Sequence, residues 1–323
     1  MWQADDVARA LSARGEMWEV SPGLIGLRGD ALSLLESIED AVIAIARDEC
    51  ADEWRVPPGI PFATLARADY FRSFPQWLTA ASHLSSEEAD LERVAEADDP
   101  AAEARTSLAP ADSALLPAVC YHCYARYAGA TIEDATIVTA QQLCWRHEGE
   151  RLAPLERGWA FSMREVVCLG SADDVRAFLS RGRTRAVRLA VKLGLAAGMV
   201  DAEDPFFAPT SRGKGLLQRI KGLKRELVLP LGGGRTIAAS SINDHEEFFG
   251  EAFDIRLSSG EWASSGCIAF GIERWLLAVL AAYGPLASGW PALPTRTVSA
   301  TRRTTQRAVR AETFAALGGM SRC

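Results

Sequence analysis

Residues 144–170 read CWRHEGERLAPLERGWAFSMREVVCLG, with apolar runs on both sides of a charged loop, which predicts a strand, a loop and a returning strand. Successive strand residues alternate faces, so Arg146 and Glu148 share one face and His147 lies on the other. Guanidinium forks match phosphate oxygens, and a ring such as Phe161 can stack on a base. The hairpin therefore suits a nucleotide, and the alternative is a charged hairpin whose Arg–Glu pairs are solvated.

A second polar position lies where a predicted buried strand turns directly into an apolar helix. Residues 264–280 read SSGCIAFGIERWLLAVL, with the strand ending at Gly271 and Arg274 in the first helical turn. A helix N-terminus is already positive, so an arginine there indicates an anion or a base plane opposite it. The alternative is that Arg274 pairs with Glu273 or another carboxylate.

The remaining pattern predicts an α+β fold, a mostly antiparallel β-sheet flanked by helices. Residues 31–47, 171–195 and 272–283 have helical spacing, and Ser171 is the predicted N-cap of the second helix. The predicted strands lie in the runs at 115–127, 135–148, 159–170, 225–231, 234–244 and 264–271. Gly232–Gly234 precede a strand rather than a helix, which indicates a turn and not a phosphate loop.

Composition and charge exclude several classes of protein. Hydrophobic residues make up 48% of the 323 positions, and the formal net charge of −7 argues against a general nucleic-acid binder. No apolar run approaches the roughly 20 residues of a membrane-spanning helix, and the acidic N-terminus lacks a secretory signal, so we expect a cytoplasmic protein. The seven scattered cysteines favour reduced thiols or metal ligands over a disulfide framework.

Four blocks of the chain together resemble one family of enzymes. R-x-E, a loop and F at 146–161 resemble motif 2 of class II aminoacyl-tRNA synthetases, and GIER at 271–274 resembles motif 3. Together these stretches resemble the amino acid:[carrier protein] ligases, bacterial relatives of the zinc-dependent seryl-tRNA synthetases of methanogens. The four blocks are CWRHE at 144–148, PLERGWAFSMREVVCLG at 154–170, ASSINDHEEFFG at 239–250 and GCIAFGIERW at 266–275. The resemblance is close over roughly residues 110–295 and loose before them, and it implies a class II synthetase-like core.

The resemblance implies a site for ATP with Mg²⁺ and catalysis by Arg146 and Arg274. Adenylate formation needs the carboxylate held in line with the α-phosphorus and the developing charge neutralised. The matching residues are Arg146 at the α-phosphate and the amino-acid carboxylate, Glu148 at the adenine amino group, Phe161 and Arg274 on the two adenine faces, Arg274 and Arg157 at the γ-phosphate, and Glu226 near ATP–Mg²⁺. Glu226 could instead pair with a neighbouring base.

The same family holds one Zn²⁺ per subunit in the amino-acid pocket with Cys, Glu and Cys. The matching residues are Cys120, Glu165 and Cys267, and Glu165 is therefore also a substrate-site residue. Three protein ligands leave the fourth zinc position for the substrate's α-amino group. Without the resemblance, the cysteines would be interpreted as small buried hydrophobes, which is also the expectation for Cys123.

Two histidines and an asparagine lie near these blocks. Asn243 and His245 match the family block at 239–250, and Asn243 is predicted to contact the substrate, while the role of His245 stays open. His147 is expected to make a structural hydrogen bond, because it points away from Arg146.

The acceptor is the part of the reaction that the motifs leave open. The family implies a ligase that transfers a small amino acid, with glycine or alanine favoured, from its adenylate to the phosphopantetheine thiol of a carrier protein. The acidic stretch at 87–103 should repel a tRNA, which disfavours seryl-tRNA synthetase-like aminoacylation. A catalytically silent binding relative is the third alternative, and retention of the motif and ligand residues counts against it.

A docking face for an acidic carrier protein is predicted on the basic segment RGKGLLQRIKGLKR, residues 212–225. Its leucines and isoleucine have helical spacing, which places the basic residues on the opposite side of a helix. The alternatives are a solvated helix face and a tRNA-contacting surface.

The chain is predicted to have an N-terminal segment at 1–110, packed on or continuous with a catalytic core at 111–323. An acidic linker at about 85–110, rich in Ala, Glu and Asp, separates them. Class II cores are usually homodimers that associate through a motif 1 helix and strand, so the resemblance implies a homodimer, with motif 1 at 62–81 or nearby.

Overall fold

The computed structural model describes residues 1–149, 151–207 and 209–291. The described strands are β1 (Met17–Ser21), β2 (Leu24–Leu27), β3 (Asp52–Trp54), β4 (Gly59–Pro61), β5 (Ala80–Ala81), β6 (Ser113–Leu115), β7 (Thr131–Ile132), β8 (Thr136–Trp145), β9 (Ala160–Gly170), β10 (Gly198–Asp201), β11 (Lys224–Gly232), β12 (Arg235–Glu246), β13 (Arg256–Leu257) and β14 (Ser264–Gly271). The described helices are α1 (Ala4–Ala13), α2 (Gly29–Asp48), α3 (Phe62–Arg67), α4 (Tyr70–Ser73), α5 (Glu88–Glu96), α6 (Pro100–Thr106), α7 (Cys120–Arg126), α8 (Ala172–Lys192), α9 (Pro209–Lys221), α10 (Phe248–Phe253) and α11 (Ile272–Tyr283).

A seven-stranded sheet lies at the centre of the described chain, in the order β10-β11-β12-β14-β9-β8-β3. Every neighbouring pair is antiparallel except β3 and β8 at one edge, which are parallel. Gly232–Gly234 all have positive φ and connect β11 to β12 as the predicted turn, since glycine alone adopts such angles without a Cβ clash. The α+β fold with a mostly antiparallel, helix-flanked sheet is confirmed.

The two faces of this sheet pack into two separate hydrophobic cores. Val166 and Cys168 of β9 belong to the first core, whereas Val167 and Leu169 belong to the second, because side chains alternate along a strand. Residues of α2, α8 and α11 complete the first core, and residues of α7 and α10 complete the second. Polar residues that face the second core therefore come close to α7 and α10.

The long helices follow the predicted pattern. Helix α8 begins after Ser171, whose side chain accepts a hydrogen bond from the backbone N–H of Asp174 in a reciprocal capping box. Helix α11 spans the predicted residues 272–283, and α2 contains the predicted helix at 31–47. None of the described helices combines the length and the apolar character that crossing a bilayer requires.

The strand predicted at 115–127 is wrong beyond Leu115, where β6 ends. Pro117 follows, and the chain then forms α7, with Cys120 in its first turn. The buried side chains of α7 lie at positions 120, 121, 123 and 124, which is the spacing of one helix face rather than of a strand. Cys123 is fully buried in the second core, as expected for a packing residue.

The acidic stretch at 85–110 contains two short helices, α5 and α6. Asp99 caps α6 by accepting a hydrogen bond from Ala102 N at 3.0 Å, and Pro100 occupies the first helical position. The division of the chain near residue 110 stays a prediction.

Candidate active site

A cavity of about 420 Å³ opens among β9, β12, β14 and α7, on the side of the sheet that faces the second core. The ten residues predicted for the ATP, amino-acid and metal sites all line it, namely Cys120, Arg146, Glu148, Arg157, Phe161, Glu165, Glu226, Asn243, Cys267 and Arg274. His147 does not line the cavity; its backbone N–H bonds to Trp77 O at 3.1 Å and its ring meets Trp159 edge-on. The fold thus gathers all the predicted site residues at one place.

Three buried side chains in the cavity could hold a metal ion. One potential ligand atom each from Cys120, Glu165 and Cys267 lies within 4.8 Å of the others. Glu165 of β9 pairs with Ala269 of β14, two residues after Cys267, so Glu165 and Cys267 project from the same face. Helix α7 carries Cys120 over them, and its backbone N–H donates to the Glu165 carboxylate.

The electrostatics of this group fit a divalent cation. Burial, and then the neighbouring Cys267, raise the pKa of Glu165 to about 8. The hydrogen bond between the two thiol groups raises the pKa of Cys120 and lowers that of Cys267. Two sulfurs and one carboxylate oxygen are ligands that zinc takes, and a zinc ion would compensate the buried negative charge. The donor set therefore fits the predicted zinc site.

Arg146 lies immediately after β8, with its guanidinium between two aromatic rings. Its Cζ is 4.9 Å from the centroid of Trp77 and 5.4 Å from that of Phe161, and its Nε donates to Pro117 O at 3.0 Å. Stacking and this bond fix the plane of the guanidinium. An arginine fixed in this way can present its remaining N–H groups to an anion in the cavity.

Arg274 lies in the first turn of α11 and does not pair with Glu273. Its Nε donates to Glu156 O and its Nη1 donates to Ala238 O, both at 2.9 Å. Glu273 instead accepts the backbone N–H of Ser162, with both carboxylate oxygens at 2.9 Å. Burial lowers the pKa of Arg274 and raises that of Glu273 to about 7. Glu273 and Arg274, although adjacent in sequence, thus bond to different partners.

The loop between β8 and β9 is held by ion pairs. Arg157 pairs with Glu148, and Arg235 pairs with Glu156 at 2.7 Å. Both Glu148 and Arg157 line the cavity near Arg274, so this part of the wall carries cationic and anionic groups together. Such a wall can contact the phosphates and the polar edge of a base.

No family model matches the chain. Amino acid–[acyl-carrier-protein] ligases 1 and 2 of Bradyrhizobium diazoefficiens are each 35% identical to it, over 266 and 274 residues. These matches cover 80% and 84% of the chain, and 81% of each relative. The chain belongs to the amino acid–[acyl-carrier-protein] ligase family.

The ligase also resembles aminoacyl-tRNA synthetases. The type-2 serine–tRNA ligase of Methanocaldococcus jannaschii is 26% identical over 290 residues, which are 86% of the chain and 54% of that protein. A crystal structure of Methanopyrus kandleri seryl-tRNA synthetase with a tRNA superposes with a TM-score of 0.80 at 21% identity, covering 91% of the ligase and 63% of that chain. Giardia lamblia prolyl-tRNA synthetase superposes with a TM-score of 0.65 at 13% identity, over 85% of the ligase and 52% of that chain. These structures confirm the class II synthetase fold of the ligase.

In the ligase, the basic segment predicted for docking divides between a helix and the cavity wall. Helix α9 ends at Lys221, whereas Lys224 begins β11 and lines the cavity, where its Nζ lies 2.6 Å from Asp204 Oδ1 and 3.3 Å from Glu226 Oε1. The prediction that Lys224 belongs to an exposed basic face is therefore wrong. Glu226 pairs with Lys224 and also lines the cavity, so its place near ATP–Mg²⁺ stays a prediction.

The expected apolar face of α9 is also different from the prediction. Leu216 is 58% exposed and Ile220 is 73% exposed, while Gly215 is buried, and a Cβ added there would lie 3.4 Å from the Phe206 ring. Gly215 therefore lies on the packed side of the helix, and Leu216 and Ile220 face outward. The side chains of Arg212, Lys214 and Leu217 lie outside the described part of the chain.

Sequence reasoning missed several residues that shape the cavity of the ligase. Phe74 stacks on Trp77 at 5.2 Å and on Phe206 at 5.1 Å, and Asp204 pairs with Lys224. These residues come from short irregular segments, where no periodicity indicates which side chains face inward. The proximity of Phe206 to Phe74, distant in sequence, had no signal in a single chain.

Proposed function

We propose that the ligase activates a small amino acid with ATP and Mg²⁺ and transfers it to the phosphopantetheine thiol of a carrier protein. A carboxylate oxygen of the amino acid attacks the α-phosphorus of ATP, and pyrophosphate leaves. The thiol then attacks the carbonyl carbon of the adenylate, AMP leaves and a thioester forms. The observation that carries the proposal is the buried Cys–Glu–Cys group that shares one cavity with the arginine-lined wall.

At the ATP end, the chain's own residues position the phosphates and the base. Arg146, whose Cζ lies 5.4 Å from the centroid of the Phe161 ring, would contact the α-phosphate and the substrate carboxylate. Phe161 would stack on the adenine, and Arg274 would cover its other face. On ATP binding, Arg157 would exchange Glu148 for the γ-phosphate, which frees Glu148 for the adenine amino group. Glu226 would stay near ATP–Mg²⁺.

At the amino-acid end, Cys120, Glu165 and Cys267 would hold a Zn²⁺ ion. A zinc ion with three protein ligands supplies an open position that takes an uncharged α-amino group. The protein residues fix where that amine lies, and Arg146 fixes the carboxylate. The substrate is thus recognised at both ends of its backbone, with Asn243 beside the amine.

Aromatic side chains around the metal-binding group favour a small substrate, glycine or alanine. Phe249 stacks on Tyr124 at 3.9 Å and meets Tyr121 edge-on at 6.1 Å. Tyr121 and Phe249 line the cavity beside Cys120 and are buried. Rings that are packed on one another cannot move aside without loss of contact, so they limit the space for a side chain.

We also propose that the carrier protein docks on α9. Arg219 and Lys221 lie on this helix with the exposed Leu216 and Ile220, which is a suitable surface for an amphipathic acidic helix. Their present partners, Glu203 and Glu246, are exposed, so these pairs cost little to replace. The helix adjoins the cavity through Gln218.

A homodimer is the proposed assembly, and the helix α2 with strand β3 is the proposed motif 1. Residues 62–81, the sequence-based placement, contain only short helices and a two-residue strand. The 20-residue α2 leads instead into β3, the parallel edge strand of the central sheet. A second copy could pack against this edge.

ATP–pyrophosphate exchange with each amino acid, in Zn²⁺ and Mg²⁺, tests the activation step. We expect exchange with glycine or alanine, then a thioester on a phosphopantetheinylated carrier protein, and about one zinc per chain by metal analysis. Transfer to tRNA alone would favour the synthetase alternative. Exchange with no amino acid would contradict both enzymatic alternatives and leave a silent binding protein.

A further inference from the structure

One face of β12 presents three polar side chains towards the metal-binding group. Ser241 and Asn243 occupy alternate positions and so project to the same side of the sheet, and His245 follows at the β-bulge between Asp244 and Glu246. All three line the cavity. Asn243 is the register partner of Cys267 on β14. The strand thus sets two nitrogen-bearing side chains beside one sulfur.

Asn243 uses its amide nitrogen twice. Its Nδ2 donates to Ser241 Oγ at 3.0 Å and to Cys267 Sγ at 3.3 Å. An amide nitrogen has two hydrogens, so both are engaged and the sulfur is the acceptor of one. The carbonyl oxygen of the side chain is the atom left to accept a bond from a substrate amine.

His245 is held by hydroxyl groups on one side of its ring and faces the sulfur with the other. Its Nδ1 lies 3.1 Å from Tyr124 Oη and 3.5 Å from Ser265 Oγ, and its Nε2 lies 3.9 Å from Cys267 Sγ. Either hydroxyl can donate to Nδ1, which leaves the hydrogen of a neutral imidazole on Nε2. Phe249 packs edge-on against the ring at 4.9 Å and fixes its plane.

From this convergence, we propose that Asn243 and His245 are positioning residues that donate two N–H groups to the Cys267 sulfur of the metal centre. The inference rests on the proposed zinc site and adds residues that the ligand set does not include. Cys267 is only 2% exposed, so water cannot solvate a thiolate there, and the two donors take that role. They also fix the side-chain rotamer that directs the sulfur towards Cys120 and Glu165.

Outer donors of this kind change how strongly a metal is held. Loss of one partner of a ligand typically weakens metal affinity about 10- to 100-fold. A donor to the sulfur also withdraws charge from it, which leaves the metal more able to accept a substrate amine. The KM for the amino acid should therefore rise in a variant that lacks the donor, while the KM for ATP stays unchanged.

The test compares zinc affinity in four proteins by competition with a chromophoric chelator. His245→Phe keeps an aromatic ring against Phe249 and removes the donor, and His245→Gln restores an N–H at nearly the same place. His147→Phe is the matched control outside the cavity. We expect zinc binding by His245→Phe to be weakened about 10- to 100-fold, and the other two variants to stay within about threefold of the wild type.

The outcomes separate this inference from the zinc site itself. A wild-type protein that binds no zinc would overturn both the zinc site and the donor role. A wild-type protein that binds zinc no more tightly than His245→Phe would overturn only the donor role. If His245→Phe does not fold, Asn243→Leu removes the other donor and should show the same loss. With Co²⁺ in place of zinc, an altered d–d spectrum in His245→Gln would make His245 a ligand and also overturn the donor role.

Discussion

Arg274 illustrates at the residue scale how one side chain can serve both architecture and chemistry. Its two bonds reach Glu156 O, in the loop after β8, and Ala238 O, on β12, so the guanidinium fork connects both walls of the cavity. A lysine would keep the charge but not the fork. The residue is therefore a sensitive place to test the ATP site.

We expect Arg274→Lys to lower kcat/KM for ATP in pyrophosphate exchange by about 100-fold, because charge stabilisation depends on preorganised donors. Arg235→Lys is the matched control, since Arg235 is 47% exposed and pairs with Glu156 at the surface. Its expected effect is about twofold or less. Equal losses in the two variants would show that Arg274 has no special role.

Glu273 gives a prediction for pH, because burial raises the pKa of this carboxyl to about 7. Below an unfolded-state pKa of about 4.3, the folded and unfolded chains both bind the proton, and above it only the folded chain does. The free energy of unfolding should thus fall with rising pH, by up to about 1.4 kcal/mol per pH unit, until pH 7.

Urea unfolding of wild type and Glu273→Gln at pH 5, 6 and 7 measures this contribution. The glutamine does not titrate, so the wild type should lose about 2 kcal/mol relative to the variant between pH 5 and pH 7. Glu88→Gln, at an exposed position on α5, is the control. Its free energy of unfolding should depend on pH in the same way as that of the wild type. Parallel pH profiles for all three proteins would contradict the prediction.

At the scale of elements, α9 directs two large apolar residues outward. Leu216 and Ile220 are exposed, whereas Gly215 is buried and Gln218 bonds to Asp204. Gln218 Nε2 lies 3.0 Å from Asp204 Oδ2, and Asp204 pairs with Lys224 in the cavity wall. A protein that docks on α9 would thus contact an element bonded to the site.

We expect Leu216→Glu to reduce transfer to the carrier protein about 10-fold or more, with pyrophosphate exchange unchanged, because it places a charge in the proposed docking surface. Val191→Glu is the control, since Val191 on α8 is also exposed, at 66%. Initial rates of thioester formation against carrier-protein concentration give the comparison. An unchanged rate in Leu216→Glu would place the docking surface elsewhere.

Elements also show what a single sequence predicts. Helix α8 was predicted because its apolar residues have helical spacing and Ser171 precedes them as an N-cap. Strand β9 was predicted because its short apolar and β-branched run ends at Gly170. Helix α7 was not predicted, because its seven residues are rich in aromatic side chains and suit either a strand or a helix. Packing against Phe249 and the second core decides in favour of the helix.

For the whole molecule, the motifs predicted the fold class and which residues meet in the cavity. They could not predict that Lys224 turns inward to Asp204, because the two belong to separate segments joined only in the fold. Nor could they predict the aromatic stack of Phe74, Trp77 and Phe206. Contacts of this kind depend on the path of loops, for which residue patterns carry little information.

The proposed homodimer has a measurable consequence at this scale. The chain has a mass of 34.9 kDa, so light scattering should give about twice that value for the purified ligase. The expected reason is that β3, at the edge of the central sheet, can pack against a second copy. A mass of one chain at micromolar concentration would contradict the dimer.

Strand β9 connects the two ends of the cavity. Phe161 and Glu165 both face the cavity and are four residues apart, a span of about 13 Å along an extended chain. Under the proposed chemistry, the strand fixes the distance between the adenine ring and the amine bound at the metal-binding group. A β-amino acid has one more carbon between its amine and its carboxylate. It would then not be a substrate, whatever the size of its side chain, because the distance between these two groups is too long.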